Sequence, residues 1–221
     1  MGKHELMRFI SSSDYARLRS RLRMMDMRDD SSGDNGECNV RSLYFDCCSN
    51  SALLEKLSGL VRREKYSIRY CNGDMSHIRL EKTSKPSRVV FSEDAEITTE
   101  QCVSLLARDF ESLKLPDTPL LMDFFAQVYY GMLRPKSIAD YHREVYTCNG
   151  GKVRVTFDTS IRVSDNVSGF LNPWLATTPA AEAIVMEVNY DGLLPDYIRD
   201  IVHVGWRRQA DFSKLAAVWL G

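Results

Sequence analysis

The sequence predicts an α+β protein organised around antiparallel strands, and three observations predict it. Residues 62–85, RREKYSIRYCNGDMSHIRLEKTSK, contain two strand-length segments with charges at every second position and hydrophobics between them. Successive side chains of a strand point to opposite faces, so Arg63, Lys65, Ser67 and Arg69 share one face and Tyr66, Ile68 and Tyr70 the other. The linking CNGDMS holds an Asn-Gly pair suited to a hairpin, after which Arg79, Glu81, Thr83 and Lys85 repeat the charged face against Ile78 and Leu80. The alternation then returns downstream: Val153, Val155 and Phe157 alternate with Lys152, Arg154, Thr156 and Asp158, and Ile184, Met186, Val188 and Tyr190 with Glu187 and Asn189. An ordinary antiparallel sheet with one face in water has this pattern. So does a closed barrel with its charged faces inward, which would need an anionic ligand and metal ions to offset the buried charges. Periodicity does not choose between the two.

The elements follow in order. A first strand at HELMRFIS leads to a helix capped by Ser12, Ser13 or Asp14. DDSSGDNGE, residues 29–37, has loop composition and precedes a strand at VRSLYFD and a short helix at SALLEKLSGL. After the charged hairpin come a strand at VVFSEDAEI, helices near 99–111 and 119–132, and strands near 137–147, 152–163 and 183–190. Two short helices close the chain. Residues 165–182, with Pro173 and Pro179, form a long connection that reads as a surface loop or a candidate flap. Trp174, Trp206 and Trp219 read as packing residues, as do Tyr44 and Phe45.

Composition favours one compact unit: 221 residues, 44% hydrophobic and 27% charged, exclude a disordered chain. Lys+Arg 29 against Asp+Glu 30 leaves a net charge of -1, so no nucleic acid is expected as a partner and any polyanion site must be local. Six cysteines with an adjacent pair, no C-x-x-C and no secretory leader predict a reducing, cytoplasmic setting in which the thiols are buried or idle. No apolar run approaches the roughly 20 residues of a membrane helix. The four histidines are dispersed without metal spacing, and H-E-x-x-H, G-x-S-x-G and Gly-rich phosphate loops are absent.

A family resemblance emerges from motifs spread along the whole chain. They include H-E-L near the start, R-S-L-Y-F-D at 41–46, L-x-E-K-L-x-G at 53–59, R-R-E-K-Y-x-I-R-Y at 62–70, I-R-L-E-K at 78–82 and R-P-K at 134–136. D-Y-x-R-E at 140–144, V-R-V-T-F-D at 153–158, M-E-V-x-Y-D at 186–191, L-P-D-x-I-R-D at 194–200 and F-S-K at 212–214 continue the series. Together they resemble the VTC domain of bacterial polyphosphate polymerase-like proteins, within the triphosphate tunnel metalloenzymes (CYTH-like). The resemblance implies one VTC-like domain over residues 1–221, built as an antiparallel barrel or tunnel with helices outside. It also implies Mn2+ or Mg2+, transfer of the ATP terminal phosphoryl group to polyphosphate, and a separate membrane-protein partner.

Carried over residue by residue, the pattern places Lys56, Lys65, Arg69, Arg79, Lys85, Arg143, Arg154 and Lys214 in phosphate binding, with Arg207 and Arg208 as further positions. Arg69, Arg143 and Glu187 are implied as the catalytic set and Glu187, Glu5 and Glu81 as metal ligands. Guanidinium and ammonium groups align phosphates, and hard cations take carboxylate oxygens. Four positions depart from the pattern by losing a cation: Met7, Ser67, Thr83 and Asn189, all on the expected tunnel face. Three readings follow, namely a polymerase with a thinned basic lining, a catalytically degenerate module binding polyphosphate, nucleotide or another small polyanion, and a triphosphate hydrolase using water as acceptor. On the expectation that Arg69 and Arg143 are like charges facing one another, replacing both by Ala leaves stability similar or higher.

Overall fold

The computed structural model describes residues 2–25, 27, 36–47, 63–85, 89–111, 118–148, 150–180 and 184–203. Its strands are β1 (Lys3–Ile10), β2 (Glu37–Cys47), β3 (Arg63–Cys71), β4 (Ile78–Lys85), β5 (Val89–Ile97), β6 (Leu133–Cys148), β7 (Val153–Ser164), the short β8 (Thr178–Pro179) and β9 (Ile184–Tyr190). The helices are α1 (Ser12–Met24), α2 (Thr99–Ala107), α3 (Pro119–Tyr129) and α4 (Asp196–Val202). The strands follow the order β6-β2-β3-β4-β5-β1-β9-β7, all antiparallel, and β7 returns to β6 to close an eight-stranded barrel, with β8 attached to β7. Of the two arrangements that the alternation allows, the chain adopts the closed one.

Helix packing fixes which strand faces look out. Leu43, Phe45, Tyr66, Ile68, Tyr70, Ile78 and Leu80 form one core with Cys102 and Leu105 of α2 and Leu121, Phe124, Phe125 and Val128 of α3. Tyr146, Val153, Val155, Phe157, Met186 and Val188 form a second core with Leu18 and Leu22 of α1 and Ile198 and Val202 of α4. Both cores lie outside the barrel, so the alternate residues face its interior. A third cluster occupies part of that interior: Cys38, Val40, Ala139, Tyr141, Ile161 and Val185, with Met7, Phe9, Tyr44 and Val163 against it.

Local chemistry explains the turns. Asn72 (φ 53°) and Gly73 (φ 73°) both take left-handed conformations, and Asp74 N donates to Cys71 O at 2.9 Å, which makes the hairpin turn the twisted type that Asn-Gly favours. Asn72 also binds back to β2, accepting from Asn39 N at 2.8 Å through its side chain. The α1 cap is Ser11 and not one of the three following residues: β1 ends at Ile10, leaving Ser11 extended (φ -78°, ψ 160°) with its Oγ accepting from Asp14 N at 3.1 Å.

One expectation is narrowed and one corrected. The connection after β7 is anchored: Phe170 is fully buried, its carbonyl accepts from Tyr70 Oη at 2.9 Å, and Arg41 Nη1 donates to Asn172 O at 2.6 Å. Trp174 on this strap is not a packing residue; it is 89% exposed, because Phe170, Leu171 and Leu175 supply the apolar contacts instead. The expected helix at 51–60, the last of the two closing helices, and Trp206 and Trp219 lie outside the described residues.

Candidate functional site

Strand register brings the charged faces together inside the barrel. Arg69 pairs in register with Arg79 across β3 and β4, and Ser67 with Glu81, while Arg143 pairs with Asp158 across β6 and β7. Glu187 on β9 faces Thr156 on one side and Met7 on the other, and Glu5 faces Asn189, which faces Arg154. Lys65 lies opposite Thr83. The four departures therefore lie on the interior face, as strand parity predicts. Lys56 and Lys214, with Arg207 and Arg208, lie outside the described residues, as does the side chain of Lys85.

Three arginines of the charged faces have carboxylate partners. Arg143 donates from Nε and Nη2 to both oxygens of the buried Asp158, at 2.6 and 2.8 Å. Arg69 Nη1 lies 3.0 Å from Glu81 Oε2, and Arg79 Nη1 lies 2.8 Å from Asp94 Oδ2. Burial works against the charge of Arg69 and Arg143, but Glu81 and Asp158 outweigh it and hold both guanidiniums more firmly protonated than usual. Arg143 also stacks over the Tyr141 ring at 5.1 Å, and Tyr44 and Tyr141 are buried deeply enough to push their phenols up. The expectation that removing Arg69 and Arg143 together leaves stability similar or higher meets an opposing observation: each removal leaves a carboxylate behind, and Asp158 has no exposure.

Glu187 is the opposite case. Its carboxyl is pushed up, first by burial and then by the nearby Glu5 and Asp158, while Arg143 and a hydrogen bond from Asn189 pull the other way. The hydroxyl of Thr156, its direct neighbour across the β7–β9 ladder, is buried without a hydrogen-bond partner. Crowded carboxylates beside an orphaned hydroxyl are hard oxygen donors short of positive charge, which is the chemistry a divalent cation satisfies. Among the described residues, however, Asp158 already gives both oxygens to Arg143, and the carboxylates of Glu187, Glu5 and Asp158 do not converge as a group of three, so these donors suit a Mg2+ or Mn2+ ion in kind but are not assembled around one point. Glu81 lies away from this group, paired with Arg69.

Among the described residues a separate group could hold a metal ion: Glu37, His142 and Glu144 each offer a ligand atom, all within 4.8 Å of one another. It faces α1, outside the barrel. Arg19 Nε lies 2.8 Å from Glu144, Arg23 Nη2 lies 2.9 Å from Glu37, and Tyr146 and Tyr15 also donate to Glu144. Burial pushes the Glu144 carboxyl up, but the hydrogen bonds from Tyr15, Arg19 and Tyr146 outweigh it and hold it below its ordinary value. Two guanidiniums already balance the two carboxylates, so this cluster is a structural tie between α1 and the barrel. The H-R-E run at 142–144, which sets His142 and Glu144 on one strand face, is the sequence signal for it.

The pattern of the VTC domain matches residues 4–218. No curated protein is detectably similar in sequence. Among solved structures, a candidate adenylate cyclase from Bacillus halodurans has a TM-score of 0.52 at 14% identity, covering 96% of this chain and 98% of its own. A candidate adenylyl cyclase from Hippeastrum, described as having a dominant triphosphatase activity, has a TM-score of 0.50 at 14% identity, covering 97% and 96%. At these identities the likeness is one of fold, a closed antiparallel barrel.

Proposed function

The chain belongs to the VTC domain family, and from that premise we propose that its single domain binds the triphosphate of ATP and polyphosphate inside the barrel and transfers the terminal phosphoryl group between them slowly. One observation carries the reading: Arg69 and Arg143 reach the same closed interior as a Glu187 carboxyl crowded by Glu5 and Asp158. A guanidinium has five donors, and Asp158 takes two from Arg143 while fixing its plane, so the remaining N–H groups can be presented to phosphate oxygens in a set direction. Arg69, steered by Glu81, supplies a second anchor on β3. Tyr44, Tyr141 and Phe9 keep one wall dry, which strengthens each charged contact. Glu187 and Glu5, with the Thr156 hydroxyl, are the residues that would draw together to hold a Mg2+ or Mn2+ ion, which would supply neutralisation of phosphate charge.

A second reading, a catalytically silent polyanion-binding module, is favoured by the same lining. Arg69, Arg79 and Arg143 each have a carboxylate partner, and apolar packing takes up interior space that a threaded polymer would need. Incubating the purified protein with ATP and Mn2+ and measuring polyphosphate, ADP and free phosphate separates these readings. Polymer with ADP supports transfer, and binding without turnover supports the module. Free phosphate without polymer contradicts transfer in favour of hydrolysis. Retention on membranes only when a co-expressed membrane protein is present would support the family's implied partner.

A further inference from the structure

Two cysteines of the barrel lining are unlike the others. Cys71 ends β3 opposite Val40 of β2, so Cys38, two residues before Val40, is its diagonal neighbour on the same inward face. Cys38 is buried and Cys71 exposed, both are free thiols, and Arg143 stands in register with Cys38 while Arg79 stands in register with Arg69. Three guanidiniums surround Cys71: Arg69 on its own strand, Arg79 on β4 and Arg143 on β6. The neighbouring Cys38 thiol, followed by these arginines, outweighs burial and pulls the Cys71 thiol down to about 6, while Cys38 itself is pushed up. The other described thiols behave as inert core groups, with Cys102 pushed up by burial to about 12 and Cys148 also raised by burial.

We propose that Cys71 is a redox-active thiol at the barrel lining and that Cys38 resolves its oxidised form into a reversible intramolecular disulfide. An exposed thiolate among cations with a second thiol on the neighbouring strand is the environment in which cysteine oxidation is selective. With a peroxide as oxidant, the Cys71 thiolate attacks one oxygen, the O–O bond breaks, and the departing hydroxide takes a proton to become water, leaving a sulfenic acid. Cys38 sulfur then attacks the Cys71 sulfur, an S–S bond forms, and the hydroxyl leaves with the Cys38 proton as a second water. Two thiols have lost two electrons and two protons, and one peroxide has become two waters. The product ties β2 to β3 and removes a negative charge from beside Arg69 and Arg143, whether or not the barrel turns over a substrate.

The test is thiol mapping by mass spectrometry on the full chain. After stoichiometric hydrogen peroxide, a peptide pair linked through Cys38 and Cys71 is expected, reversed by dithiothreitol. In Cys38→Ser, the Cys71 sulfenic acid is expected to persist and be trapped by dimedone. At pH 6, a thiol titrating near 6 is about half ionised against about 0.3% for an ordinary one, and its lower intrinsic nucleophilicity takes back about tenfold. Cys71 of the folded protein should therefore alkylate with iodoacetamide about tenfold faster than Cys71 of the urea-unfolded chain. Alkylation no faster than in the unfolded chain overturns the activation of Cys71. Disulfides that bypass the pair, or irreversible oxidation of Cys71 in the unsubstituted protein, overturn the resolving role of Cys38.

Discussion

Glu187 is held at odds with its surroundings, and that tension can be measured. Because burial and the neighbouring Glu5 and Asp158 raise its carboxyl in the folded state, the folded protein binds a proton there more tightly than the unfolded chain. Stability from this residue is thus complete below the ordinary carboxyl range and falls as pH rises through the raised value. Glu187→Gln should remove that slope, giving a gain on the order of 1 kcal/mol at pH 7.5 and none at pH 4, read from thermal midpoints at the two values. Equal midpoint shifts at both would mean that Glu187 is not crowded. Arg143 is held by its partner instead: Arg143→Ala strands Asp158 without exposure and should cost about 3–5 kcal/mol in denaturant unfolding, much of it recovered when Asp158→Asn is added. Parity placed Arg69 and Glu187 on the charged faces of their own strands, and the family resemblance supplied Arg143. The partners were not legible, because Asp158 and Glu81 lie on other strands and only the register decides which carboxylate meets which guanidinium. The same holds for Cys71, whose activation depends on arginines from three strands.

At the scale of elements, the β3–β4 hairpin was the most legible part of the chain, since Asn72-Gly73 states its own turn geometry. Gly73 has no atom within 4 Å of an added Cβ, so Gly73→Ala meets only the backbone cost of φ +73° and should destabilise by about 1–2 kcal/mol. An unchanged unfolding midpoint would argue against the left-handed turn. The strap between β7 and β9 was the least legible, because its prolines and polar residues have loop composition while its anchors are the carbonyls of Phe170 and Asn172, which no side-chain pattern marks. Phe170→Ala should cost about 3–5 kcal/mol, as expected for a fully buried aromatic and far more than for a flap residue.

For the whole molecule, closure of the sheet turns four scattered substitutions into a local charge deficit. Met7 faces Glu187 in register, Asn189 donates to Glu187, and Ser67 faces Glu81, so three of the four missing cations would have stood beside a candidate metal or orienting carboxylate. Thr83 instead faces Lys65, where a lysine would meet a like charge. Met7→Lys, Ser67→Arg and Asn189→Lys together should raise tripolyphosphate affinity about tenfold or more, with Thr83→Lys adding little, checked by titration after circular dichroism confirms folding. The antiparallel barrel was half legible: alternation along each strand supplied two distinct faces, but both an open sheet and a closed barrel satisfy it, and the β6–β7 ladder that closes the ring joins strands whose pairing no periodicity specifies. Calorimetric titration of tripolyphosphate in Mn2+, comparing the unsubstituted protein with Arg69→Gln/Glu81→Gln, tests most directly whether the interior is the polyanion site. Removing both members of one ion pair takes away a phosphate donor without stranding a charge. The expected result is one bound tripolyphosphate per chain, weakened about tenfold or more in the variant at a retained thermal midpoint. No uptake by the unsubstituted protein, or equal affinity in the variant, would contradict it.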